Sequence, residues 1–288
     1  MYQRTDSPLQ SWSPKGEIKG YALLVHGLNT RPSAMQPWVA ALLTAGIHVT
    51  LVILTGHEEP RPNETNEKKH ARRQAFRAAT RESWHTDIVH GYHALEQVAP
   101  KGTPRFFVGY SLGGVLGGEL IQQGKLHFDS MLLLAPALAM HRRNGILRWL
   151  PLPRRSLLPS VMPRRFRVHR WTPLSAYREL FRSVDALHGL LSTSTSSPSS
   201  TTALNIPTRV WIDPRDELVS LTGIQHWISQ AQLDNWQVSR LSIAHANILQ
   251  GCFHHLLIEP SCTGEVVWQQ MLASIGTDLL AQTVVTQH

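Results

Sequence analysis

The chain holds only two cysteines in 288 residues, too few for a disulfide framework to take the place of a core. Cys252 and Cys262 do flank His254 and His255. With no Cys-x-x-Cys or His-x-x-x-His spacing beside them, they read as two unlinked thiols, and no metal site is expected. No apolar run approaches the roughly 20 residues that cross a bilayer, and the polar start, Met1 to Pro8, lacks the hydrophobic stretch of a signal peptide. The expectation is a cytoplasmic protein without a transmembrane segment.

Acidic residues are missing from one long stretch. Between Ser130 and Arg178 there is no Asp, Glu or Lys against ten arginines. The whole chain carries +8, so the remainder carries about −2, and the basicity belongs to one segment rather than to the fold. Such charge, set among Trp and Leu side chains, suits an anionic lipid surface or an anionic head group. No nucleic-acid recognition motif accompanies it, so nucleic acid is not expected as a partner.

What is present is enough apolar residue, 42%, for one sizeable core. Tyr21 to Val25, His48 to Leu54, Arg105 to Val108, Ser130 to Ala135 and Thr208 to Ile212 are short continuous apolar runs of the fully buried, parallel-sheet kind. Between them lie stretches with helical spacing, such as Met35 to Ala45 and Trp84 to Val98. Strand and helix in alternation predict an α/β fold with a mostly parallel central sheet flanked by helices. Residues 1–18 read as an extended arm or a weak edge strand. The alternation breaks between Ala137 and Ala203, where Pro151, Pro153, Pro159, Pro163 and Pro173 puncture any long helix and the stretch closes in a Ser/Thr-rich linker, Ser192 to Thr202. It is expected to be an inserted lid, residues 139–203, on a core made of 1–138 and 204–288.

The chemistry centres on Gly109-Tyr110-Ser111-Leu112-Gly113, placed between a strand and a helix-compatible segment. A Gly-x-Ser-x-Gly turn in that position has the layout of a nucleophile elbow, whose strained centre lifts the Ser111 hydroxyl above the sheet. A serine hydroxyl is a poor nucleophile until a histidine takes its proton and a carboxylate holds that histidine in the right tautomer. Both follow in order. Asp213-Pro214-Arg215-Asp216 supplies the acid, with Asp216 preferred to Asp213 because it lies beyond the strand end. Gly251-Cys252-Phe253-His254-His255 supplies the base, with His254 preferred and His255 the alternate. His245 is a further candidate. The oxyanion donors are expected to be the Leu112 and Leu28 backbone N–H groups, with Gly27 and Tyr110 beside the substrate.

On His26-Gly27, Leu54-Thr55-Gly56-His57, Gly109-Tyr110-Ser111-Leu112-Gly113-Gly114, Asp216 with Val219, and His254 five residues before Glu259, the sequence resembles the α/β-hydrolase superfamily. Within it, the similarity is to lidded serine esterases of monoacylglycerol-lipase or lysophospholipase type, over roughly residues 20–138 and 205–280. The resemblance implies a Ser111, Asp216, His254 triad, hydrolysis of a small-molecule acyl ester without a cofactor, and a lid over the pocket. Two readings stay beside it: a thioesterase or other reaction on the same fold, and a non-catalytic relative that binds an acidic partner through the basic segment.

Overall fold

The computed structural model describes residues 9–148, 151–154, 156–194, 202–244, 251–276 and 279. In chain order the first half runs β1 (Leu9–Trp12), β2 (Gly20–Val25), α1 (Gln36–Thr44), β3 (Ile47–Val52), α2 (Asn66–Ala78), α3 (Arg81–Val98), β4 (Arg105–Tyr110), α4 (Leu112–Gln122) and β5 (Ser130–Leu134). It continues with α5 (Arg142–Gly145), β6 (Leu157–Pro159), β7 (Trp171–Pro173), α6 (Leu174–Ser194), β8 (Thr208–Ile212), α7 (Leu221–Gln230), β9 (Trp236–Arg240), α8 (Pro260–Thr263) and α9 (Glu265–Ile275).

Seven strands form one sheet in the order β1-β3-β2-β4-β5-β8-β9. The arm supplies β1 as an antiparallel edge, Leu9 opposite Val52, and every other pairing is parallel. β2, β3 and β5 are buried at every position. That is why they read as unbroken apolar runs: helices cover both faces of a parallel sheet, so neither set of alternating side chains meets water. On one face α3, α4, α6 and α7 bury Trp84, Ile88, Leu116, Leu187 and Ile224. On the other, α1 and α9 bury Trp38 and Trp268, whose rings meet edge to face at 5.2 Å. The sequence and the structure agree on an α/β fold with a mostly parallel, helix-flanked sheet.

α3 begins three residues before the apolar spacing does. Thr80 accepts from the Ser83 N–H at 3.2 Å while the Ser83 hydroxyl accepts from the Thr80 N–H at 3.0 Å, a reciprocal cap that satisfies the opening donors. α2 buries only Phe76, as its charged sequence suggests.

Two expectations are corrected. The prolines expected to puncture any long helix end at Pro173, and the next residues, Leu174–Ser194, form a 21-residue helix. Leu180, Val184, Leu187 and Leu191 of α6 join the main core. Its Glu179, fully buried, pairs with Arg154 at 2.6 Å and Arg182 at 2.9 Å. The Ser/Thr-rich linker begins inside this helix, and its residues 195–201 lie outside the described residues. The second correction concerns the cysteines: Cys252 and Cys262 are joined as a disulfide. Among the described residues, no helix is long and apolar enough to cross a membrane.

Candidate active site

Ser111 stands between β4 and α4 with φ 49° and ψ −111°, a strained conformation that non-glycine residues hold only when their surroundings impose it. The surroundings here are backbone. The Ser111 N–H donates to the Leu134 carbonyl at 3.0 Å, and its own carbonyl accepts from Gly114 and Ala137, both at 3.1 Å. A Cβ at Gly113 would collide with the Val25 carbonyl oxygen, and one at Gly109 would lie 2.7 Å from the Gly114 Cα. Glycine at both positions lets the turn close against β2 and α4.

The loop after β9 brings a histidine to that hydroxyl, and it is His255. Its Nε2 lies 3.0 Å from Ser111 Oγ, and its Nδ1 lies 2.8 Å from Asp216 Oδ2. Asp216 is buried, and the other oxygen of its carboxylate accepts from the Leu218 and Val219 N–H groups at 2.8 and 2.9 Å. A carboxylate that only accepts assigns the proton to Nδ1, leaving Nε2 bare towards Ser111.

The expectation of His254 at the serine is therefore corrected in position. His254 Nδ1 bonds Glu217 Oε1 at 2.9 Å. The same carboxylate accepts the His254 and His255 backbone N–H groups at 3.2 and 3.3 Å. Glu217, the residue after Asp216 and not among the expected site residues, thus pins both residues and turns the second ring towards Ser111. The Asp213 alternate is also displaced. It accepts from the Arg215 N–H at 2.8 Å, from the Arg215 guanidinium at 3.1 and 3.0 Å, and from the Ile243 N–H at 2.9 Å. Burial alone would raise this carboxyl, but those donors and the Arg215 charge outweigh it and hold it below the usual aspartate range. Its role is to fix the loop that carries Asp216. His245 lies outside the described residues.

Leu28, Ser111 and His255 line one narrow pocket with Met140, Leu180 and Phe181. The Leu112 N–H opens α4 and, as the first residue of a helix, has no carbonyl one turn back to receive it. Gly27 and Tyr110, expected beside the substrate, sit behind the pocket instead. The Tyr110 ring packs against Gly27, and its hydroxyl donates to the His255 carbonyl at 3.3 Å. Burial, with Asp216 and Glu217 nearby, pushes that phenol well above its ordinary range, so Tyr110 is a neutral strut for the histidine loop.

Sequence reasoning missed the layer beneath Leu28. Asn29, at φ 55°, gives its N–H to His57 Nε2 at 2.8 Å. Its amide nitrogen donates to Ser160 Oγ and the His169 carbonyl, both at 2.8 Å, and to Thr172 Oγ1 at 3.1 Å. Its amide oxygen accepts the His169 N–H at 2.9 Å. One side chain thereby ties the Leu28 loop to the stretch between β5 and β8. Around it, His26 and His57 lie 4.9 Å apart, His57 meets Phe76 edge to face, and Phe76 stacks on His169 at 4.8 Å. Burial lowers His26 and His169 to about 4 and His57 well below its ordinary value, so all three are neutral at pH 7. Among the described residues no group of His, Cys, Asp or Glu is placed to hold a metal ion.

Residues 16–261 match the family model described as serine aminopeptidase, S33. No curated protein matches the chain. Among solved structures, a soluble variant of monoglyceride lipase from Saccharomyces cerevisiae in complex with a substrate analog is similar with a TM-score of 0.75 at 13% identity, covering 98% of this chain and 95% of that one. The monoacylglycerol lipase of Paleococcus ferrophilus is similar with a TM-score of 0.64 at 15% identity, covering 95% and 99%. A structure of the metagenome-derived lipolytic enzymes LipS and LipT is similar with a TM-score of 0.66 at 19% identity, covering 93% and 97%. These likenesses are of fold, and with the family match over most of the length they give the conclusion: the chain belongs to the serine aminopeptidase S33 family and is a hydrolase of the α/β-hydrolase fold.

Proposed function

We propose that the protein cleaves carboxylic acyl esters through Ser111, His255 and Asp216, with residues 139–203 as a lid over a core of 1–138 and 204–288. The observation that carries the reading is the continuous hydrogen-bond line from Asp216 through His255 to Ser111 Oγ, at 2.8 and 3.0 Å, opening on an apolar pocket. Ser111 Oγ adds to the acyl carbonyl as His255 Nε2 takes its proton. The Leu28 and Leu112 N–H groups face the charge that develops on the carbonyl oxygen. His255 then returns the proton to the leaving alcohol, and a water, deprotonated by the same nitrogen, releases the acid from Ser111. No cofactor is needed for these steps.

The lining of the pocket favours an ester over a peptide with a free amino end. Leu28, Met140, Leu147, Val161, Leu180 and Phe181 suit an acyl chain. The described lining residues include no carboxylate to hold an α-amino group. The monoglyceride lipases among the similar folds support an alcohol of monoacylglycerol or lysophospholipid type. In the lid, Ile146, Leu152, Val161 and Trp171 are exposed among arginines, which supports contact with an anionic lipid surface.

The test is turnover of p-nitrophenyl esters together with labelling by a fluorophosphonate probe. Ser111→Ala is expected to lose both, with a fall in rate of at least about a thousandfold. A folded Ser111→Ala protein that keeps the wild-type rate would remove the reading.

A further inference from the structure

The catalytic pocket adjoins a second hollow. Ser160, Val161 and Met162, which line the pocket, also form one wall of this open hollow of about 670 Å³. Four guanidinium groups border that hollow: Arg31, Arg164, Arg165 and Arg167. Arg31 comes from the loop after β2, the other three from the stretch between β6 and β7.

The four are not equally committed. Arg165 pairs with Glu259 at 3.3 Å, donates to Cys252 Sγ at 2.7 Å and Cys262 Sγ at 3.0 Å, and lies over the Phe166 ring. Arg31 gives its Nε to the Arg167 carbonyl at 2.7 Å, which holds the guanidinium while leaving its two terminal nitrogens. The side chains of Arg164 and Arg167 have no hydrogen-bond or ion-pair partner among the described residues. One carboxylate against four guanidiniums leaves about three positive charges on the rim. Guanidinium forks match the oxygens of a phosphate, often in pairs of parallel N–H bonds.

We propose that this hollow is a head-group site and that the substrate is an acyl ester whose alcohol part carries a phosphate. The inference rests on the ester-hydrolase reading above and narrows its substrate class. The acyl chain occupies the apolar pocket, the carbonyl lies at Ser111, and the alcohol leaves past Ser160–Met162 with its phosphate among Arg31, Arg164 and Arg167. Only the ester C–O bond breaks: water supplies OH to the acid and H to the alcohol, and the phosphate stays intact. A trimethylammonium group beyond the phosphate would be placed among like charges. The site therefore favours a bare or glycerol-linked phosphate over phosphocholine.

The experiment uses the full chain and short-acyl substrates that stay monomeric: monoacylglycerol, its glycerol-3-phosphate counterpart, and the phosphocholine counterpart. The readout is the ratio of kcat/KM between phosphate-bearing and neutral substrate, so any general loss of activity cancels. The expected ratio is about tenfold or more, the size of one or two charge-assisted hydrogen bonds, falling as salt rises to about 0.5 M. In Arg164→Gln with Arg167→Gln it should drop to near one. The phosphocholine ester is expected below the bare phosphate. Equal kcat/KM for neutral and phosphate-bearing substrates in the wild type would overturn the proposal. So would a high ratio that survives in the double variant. If anionic vesicles instead stimulate the neutral ester and the double variant loses that stimulation while the substrate ratio stays at one, the arginines serve a bilayer and the head-group site is wrong. Failure of the underlying hydrolase reading looks different, since neither p-nitrophenyl esters nor the fluorophosphonate probe would react.

Discussion

His255 Nε2 lies 3.0 Å from Ser111 Oγ across a separation of 144 residues, while its neighbour His254 is bound to Glu217 at 2.9 Å. Two adjacent histidines are thus given different partners by two adjacent carboxylates. His255→Ala is expected to lower kcat by about a thousandfold or more, and His254→Ala by about tenfold or less. Steady-state rates on a p-nitrophenyl ester decide between them, and equal losses would contradict the assignment.

Glu217 acts through the loop it pins. Glu217→Ala releases two backbone N–H groups and the His254 ring, so the His255 ring loses its fixed direction. The prediction is a fall in kcat with little change in KM, about tenfold to a hundredfold, and slower fluorophosphonate labelling. Glu217→Gln keeps one acceptor oxygen and should recover part of the rate, which a purely structural defect would not show in kcat alone.

Asp216→Asn tests the tautomer. An amide that donates to Nδ1 would hold the histidine the wrong way round, and a loss of about 10⁴ in kcat is expected. Asp213→Asn weakens the hold of Arg215 and Ile243 on a loop carboxylate. It should show first in thermal stability, and a larger loss of rate from Asp213→Asn than from Asp216→Asn would reverse their roles.

Asn29→Ala removes four side-chain hydrogen bonds between the Leu28 loop and the segment from Ser160 to Thr172. It leaves the buried His169 N–H and Thr172 hydroxyl without this partner. A cost of about 2–4 kcal/mol follows, read as a lowered melting temperature. An unchanged melting temperature would mean the tether is not part of the fold.

The buried imidazoles set an acid limit. His26 and His169, lowered to about 4, and His57, lowered well below its ordinary value, stay neutral when folded. The unfolded chain binds protons on all three below about pH 6.5. Over that window the unfolded state holds more protons, so stability falls as pH drops from about 6.5 towards 4. For His26 alone the loss approaches about 3 kcal/mol at 1.36 kcal/mol per unit. Melting curves from about pH 7 to about pH 5, where most carboxylates remain ionised, should show the decline. A flat profile would mean that these rings are not buried neutral.

The buried strands and the elbow were legible because each has a local cause. Runs buried on both faces must be apolar throughout, and a tight strand-to-helix turn needs glycine at Gly109, against the Gly114 backbone, and at Gly113, against the Val25 carbonyl. The choice between His254 and His255 was not legible, since both occupy the same loop and the deciding contact is Glu217, 37 residues earlier in the chain. Asn29 carried no signal either: its four partners lie between 131 and 143 residues away. Helix α6 did have a local sign, the proline at 173 immediately before it with none in the next twenty residues, which the density of earlier prolines obscured. The Cys252–Cys262 pair depends on how the loop between them closes, which a spacing of ten residues does not specify.

The most direct test of the central claim is to trap the covalent intermediate. The wild-type protein is mixed with a p-nitrophenyl ester, quenched in acid within the first turnovers and digested for mass spectrometry. The account predicts one acyl group on the peptide carrying Ser111, absent in Ser111→Ala and strongly reduced in His255→Ala. Turnover with Ser111 unmodified, or with the acyl group on another side chain, would contradict it.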